Sequence, residues 1–85
     1  MQLVTIYTKE VCPYCVMAKK LLTEFGVTEF KEIRVDLDPD ELTNMINKTN
    51  RRTVPQIYIG DTHVGGFDDL SKLKSDGKLK DLLGL

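Results

Sequence analysis

Apolar and polar residues alternate from Gln2 to Tyr7, with Val4 and Ile6 on one side and Leu3, Thr5 and Tyr7 on the other. That period, with apolar groups on both sides, predicts a strand partly covered on each face. From Pro13 the period lengthens: Tyr14, Ala18, Leu21, Leu22 and Phe25 recur at helical spacing, while Lys19, Lys20, Thr23 and Glu24 lie opposite. Gly26 is a usual C-terminal stop for such a helix. A second alternation, Ile33, Val35 and Leu37, predicts a strand in a segment beginning near Phe30. Asp38-Pro39-Asp40-Glu41 then has the composition of a helix start, with Asp38 as N-cap, Pro39 first in the helix and acids in the first turn. Leu42, Met45 and Ile46 give that helix one narrow apolar stripe.

Further on, Gln56 to Ile59 and Thr62 to Val64 flank Gly60-Asp61, a two-residue hairpin signal. After Gly65-Gly66 a helical region carries Leu70, Leu73, Leu79, Leu82 and Leu83, with a break expected near Gly77. The predicted order is β-α-β-α-β-β-α. Its first β-α-β unit calls for a parallel pair with a right-handed crossover, and the hairpin adds antiparallel strands to the same sheet.

Composition narrows the class. A chain of 85 residues, 41% apolar, suits one compact core, and no linker, repeat or low-complexity segment divides it, so residues 1–85 are expected to form a single domain. A net charge of −1, with the signs mixed along the chain, gives no general attraction to nucleic acid or membrane surfaces. No apolar run approaches the roughly 20 residues that span a bilayer, and no basic region leads into a signal-like stretch. A soluble, cytoplasmic protein is the expectation. The two cysteines lie three positions apart and would close too short a loop to act as a structural staple.

That pair, Cys12-Pro13-Tyr14-Cys15, falls between the first strand and the first helix, where a redox pair is the natural interpretation. Proline favours the first helical position and biases the preceding residue away from helical angles, which puts Cys12 at the N-cap and Cys15 one turn further in. At the N-cap a sulfur anion meets free backbone N–H groups and the positive end of the helix dipole, which favour thiolate over thiol. Lys9 adds positive potential and Glu10 opposes it. Cys12 is therefore assigned as the attacking sulfur and Cys15 as the resolving one. A zinc site would want four ligands, and the chain offers these two cysteines and a distant His63 on a predicted surface strand, so no metal is expected. Two inert cysteines would leave the proline-capped placement of Cys12 unexplained. Tyr14 fits either packing in the helical stripe or bordering a substrate groove.

With these residues in hand, the sequence resembles the dithiol glutaredoxins, particularly the bacterial glutaredoxin-3 type, over nearly its whole length. Three motifs carry the resemblance: Lys9 with Cys12-Pro13-Tyr14-Cys15; Thr53-Val54-Pro55 before the strand Gln56 to Ile59; and Gly65-Gly66-Phe67-Asp68-Asp69-Leu70. It implies a thioredoxin-like α/β fold with a four-stranded mixed sheet and a cis peptide before Pro55. It also implies a thiol–disulfide oxidoreductase that uses glutathione as co-substrate. In that likeness the Val54 backbone pairs with the cysteinyl part of glutathione. Asp68, with the N-terminus of the last helix at Gly66, holds the γ-glutamyl end. Lys9 and an arginine before Thr53, taken as Arg52 although Arg51 is adjacent, meet the glycyl carboxylate. Tyr14, Thr53, Pro55 and Asp69 complete the implied site, with helix capping as the alternative for Asp69. Phe67 sits where the family varies. Disulfide-containing or glutathionylated proteins, ribonucleotide reductase among them, are the implied clients of a monomer.

Other functions fit less well. A carrier fed by thioredoxin reductase would not need Lys9, Thr53 and Asp68. A module sharing an iron–sulfur cluster between two chains and two glutathiones commonly has a small residue in place of Pro13. A thioredoxin would carry tryptophan before the first cysteine and glycine after it.

Overall fold

A computed structural model describes all residues, Met1–Leu85, as β1 (Val4–Thr8), α1 (Pro13–Glu24), β2 (Lys31–Arg34), α2 (Pro39–Thr49), β3 (Gln56–Ile59), β4 (Thr62–Gly65), α3 (Phe67–Ser75) and α4 (Leu79–Leu83). The final helical region is two helices, with Gly77 between them at φ +72°. The strands form one mixed sheet in the order β2-β1-β3-β4, with β1 parallel to β2 and antiparallel to β3, and β3 antiparallel to β4.

The period-two pattern of β1 divides the core. Val4 and Ile6 enter the larger cluster, where Ala18, Leu21 and Leu22 of α1 meet Ile57 and Ile59 of β3, Leu70 of α3, and Leu79 and Leu83 of α4. Each of these valine, leucine and isoleucine side chains contributes roughly 1.5–3 kcal/mol by leaving water. Tyr7 points to the other face, where α2 packs through Met45 together with Val35. Helices therefore cover both faces. Asp38 caps α2 by accepting N–H bonds from Asp40 and Glu41, and Asn50 ends that helix in the left-handed conformation.

Three side chains depart from the sequence expectation, and the two alternatives left for Tyr14 are decided. Tyr14 is 58% exposed, because the buried stripe of α1 runs through Cys15, Ala18, Leu21 and Leu22 and leaves Tyr14 to one side. Leu37 is exposed because β2 ends at Arg34 and the chain turns at 35–37, breaking the alternation. Leu42 lies at the margin of the α2 stripe and is also exposed. His63 is half-buried rather than a surface residue, for a reason that lies in the β3–β4 register, taken up below.

Candidate active site

Cys12 is the N-cap of α1 and Pro13 its first residue, with the Cys12 backbone at φ −148°, ψ 88°. The Cys12 carbonyl accepts from Val16 N–H at 3.2 Å, closing the first turn, while its Sγ accepts from Cys15 N–H at 3.1 Å. The sulfur thus sits where the helix presents unpaired donors and its positive dipole end. Cys12 and Cys15 are joined by a disulfide, their Cα atoms 5.2 Å apart. In this oxidised state both cysteines are buried, Cys15 (2% exposed) more so than Cys12 (7%).

The second wall comes from the segment leading into β3. The Val54–Pro55 peptide is cis, and the carbonyl oxygen of Val54 lies 3.8 Å from Cys12 Sγ. From there a groove of about 350 Å3 runs toward the start of α3, lined by Tyr14, Arg51, Thr53, Val54, Pro55, Gly66, Phe67, Asp68 and Asp69. Tyr14 and Phe67 stack with ring centroids 5.9 Å apart, forming an aromatic side to the groove. Across Thr53 and Val54 lies a second concavity of about 350 Å3, to which Lys9 and Arg52 contribute the cations. Neither Lys9 nor Arg52 makes an ion pair within the chain.

The two adjacent arginines thus separate. Arg51 turns toward α3 and pairs with Asp69 at 2.9 Å, while Arg52 shares the other concavity with Lys9. Asp69 also accepts the Gly66 N–H at 2.9 Å, capping α3. The Arg51 hydrogen bond, and then the Gly66 amide, hold the Asp69 carboxyl below its ordinary value. Asp68 is exposed and makes no such pair. Gly65 permits this arrangement: its φ is +114°, and a Cβ there would collide with the Asp69 carboxylate and crowd Arg51.

Phe67, at the position where the family varies, lines the groove, while sequence reasoning assigns no role to Asp36 or Gln56 at this site. Asp36 accepts two bonds from Arg34, which hold its carboxyl down to about 2, and also accepts Glu10 N–H at 3.1 Å, tying down the loop before Cys12. Gln56 is completely buried, and the one signal in the sequence that could have drawn attention to it is an amide at the head of an otherwise apolar strand. No three His, Cys, Asp or Glu side chains converge as a metal-binding cluster, and no helix is long and apolar enough to cross a membrane.

A family model named glutaredoxin matches residues 4–64. The chain belongs to the glutaredoxin family. A glutaredoxin of Neisseria meningitidis serogroup B is 53% identical over 83 residues, covering 98% of both chains. Glutaredoxin 3 of Escherichia coli K12 is 49% identical over 80 residues, covering 94% of this chain and 95% of its own. Among solved structures, the Brucella melitensis glutaredoxin superposes with a TM-score of 0.84 at 48% identity, covering 98% of this chain and 89% of that one. A buckwheat glutaredoxin–glutathione complex superposes with a TM-score of 0.87 at 31% identity, covering 98% and 77%. Glutaredoxins are thiol–disulfide oxidoreductases. This glutaredoxin is such an enzyme, built on the thioredoxin-like fold and carrying a disulfide-forming cysteine pair.

Proposed function

We propose that this chain reduces glutathione mixed disulfides and protein disulfides through Cys12, with glutathione as the electron donor. The observation that carries the mechanism is the N-cap placement of the Cys12 sulfur, which receives the Cys15 N–H while Cys15 lies deeper. In the first step the Cys12 thiolate attacks a glutathionylated substrate, forming a Cys12–glutathione disulfide and releasing the substrate as thiolate. A second glutathione thiolate then attacks the glutathionyl sulfur, giving oxidised glutathione and restoring Cys12. With a protein disulfide, Cys15 resolves the mixed disulfide instead. The Cys12–Cys15 disulfide that results takes two electrons from two glutathiones.

Glutathione has an ammonium at one end, carboxylates at both and a peptide between, and the two concavities either side of Val54 supply matching groups. Asp68 at the start of α3 takes the ammonium, the Val54 backbone pairs with the cysteinyl residue as an added strand would, and Lys9 with Arg52 takes the glycyl carboxylate. Thr53, Pro55 and Gly66 shape the backbone of the site, Tyr14 borders it, and Asp69 acts mainly by fixing the cap. A buckwheat relative crystallised as a glutathione complex supports glutathione as the ligand. The same reading makes residues 1–85 one domain, a cytoplasmic monomer whose clients are disulfide-bearing or glutathionylated proteins, ribonucleotide reductase among them.

Cysteine variants test the mechanism. Cys15→Ser is expected to keep turnover of a small glutathione mixed disulfide, since free glutathione resolves it, and to lose most reduction of an intramolecular protein disulfide, where Cys15 acts at high effective concentration. Cys12→Ser is expected to lose both. Equal losses in Cys15→Ser, or activity surviving in Cys12→Ser, would reverse the assigned roles.

A further inference from the structure

The Thr53–Val54–Pro55 wall belongs to no helix or strand. A segment outside regular structure has few ladder bonds to hold its pose, yet its backbone is what must meet a peptide-like ligand. The residue that follows it, Gln56, has no exposed surface. Its Nε2 donates to the Thr53 carbonyl at 2.9 Å, and its Oε1 lies 2.8 Å from Nε2 of His63. A carbonyl can only accept, so the amide nitrogen faces Thr53 and the amide oxygen faces His63. Nε2 of His63 is then necessarily the donor, in the neutral ring as in the cation.

The sheet is built to bring His63 there. The β3–β4 register shifts by one residue between Ile57, which is opposite Gly65, and Tyr58, which is opposite His63. Continued without the shift, the Ile57–Gly65 register would set Val64 opposite Tyr58. With it, His63 shares the face of Gln56 and Tyr58, its ring 5.0 Å from that of Tyr58. Filling the Gln56 position would need only an apolar side chain, and burying an amide is unfavourable unless both ends are bonded. Here the two ends are committed to one loop carbonyl and one imidazole.

We propose that Gln56 and His63 are positioning residues for glutathione: the hydrogen-bond chain from His63 through Gln56 to the Thr53 carbonyl sets the Thr53–Val54 backbone against which the tripeptide pairs. This rests on the groove being the glutathione site. It acts through the loop, without either side chain touching substrate, and is independent of the chemistry at Cys12.

The test compares one peptide carrying either a glutathione or a cysteamine mixed disulfide. Cysteamine lacks the tripeptide backbone, so its reaction reports Cys12 without the groove. His63→Phe, which keeps the ring against Tyr58 and removes the donor, is expected to lose about fivefold in kcat/KM on the glutathionylated peptide, the scale of one lost hydrogen bond. Its rate on the cysteamine peptide and its alkylation midpoint should match wild type. His63→Gln, whose amide nitrogen reaches about as far as imidazole Nε2, should restore the glutathione preference. Gln56→Leu should behave like His63→Phe, and if it fails to fold, the half-buried His63 position still decides. Equal losses on both peptides, or an undiminished glutathione preference in folded His63→Phe, would overturn the proposal. A wild type that does not distinguish the two peptides would instead overturn the groove assignment, and the positioning role with it.

Discussion

The backbone N–H of Cys15 points at the sulfur of Cys12 across 3.1 Å, so the helix that carries the second cysteine also supplies a donor to the first. In the reduced protein this donor and the dipole end act on the Cys12 thiolate, which lowers its pKa relative to the ~8.5 of free cysteine. With Cys15→Ser to isolate the site, the rate of iodoacetamide alkylation against pH should show a midpoint within the range of about 3.5–7.5 known for such placements. A midpoint at or above the free-cysteine value would contradict the capping argument.

The charges flanking the groove should act on the ligand. Asp68→Ala is expected to lower kcat/KM for glutathionylated substrates by about three- to tenfold, with Lys9→Ala and Arg52→Ala similar to one another. Because these side chains are exposed, the losses should shrink as salt rises. Full kcat/KM in all three variants, or efficient reduction of the wild type by thioredoxin reductase and not by glutathione, would favour the other electron donor.

Asp69 gives the fold a pH dependence of defined sign. Its carboxyl is held below its ordinary value by Arg51 and then by the Gly66 amide, so folding favours the carboxylate. The stabilisation is complete above the unfolded-chain value of about 3.9 and is lost as pH falls through the lower folded value. Asp69→Asn keeps an acceptor for Gly66 but does not titrate. Thermal melts should therefore show wild type and Asp69→Asn converging as pH drops from 5 toward 2. With the Asp69 side chain 44% exposed, the gap should be small and narrowed by salt. Parallel curves across that range would remove Asp69 from the acid response.

The elements and the cysteine roles were legible in the sequence because the interactions behind them are local. The alternation of β1, the Asp38-Pro39 cap, the Gly60-Asp61 hairpin and the proline-capped Cys12 depend on neighbours within about one helical turn, and each is present as expected. The helix break at Gly77 was equally visible. What lay further apart in sequence was not. Arg51 and Arg52 are chemically identical neighbours, and only the packing of the 50–55 loop against α3 turns one toward Asp69 and leaves the other beside Lys9. Tyr14 matches a helical stripe whose true centre is set by where the sheet lies, so periodicity alone left packing and bordering the groove both open. His63 alternates like a surface strand residue, and a single register shift brings it opposite Tyr58 and into contact with Gln56. Side-chain pairing across a sheet depends on register, and register is settled by the competition of whole faces for burial. The sequence by itself determined which residues could do chemistry and on which element each sits; the tertiary structure decided which of them face one another.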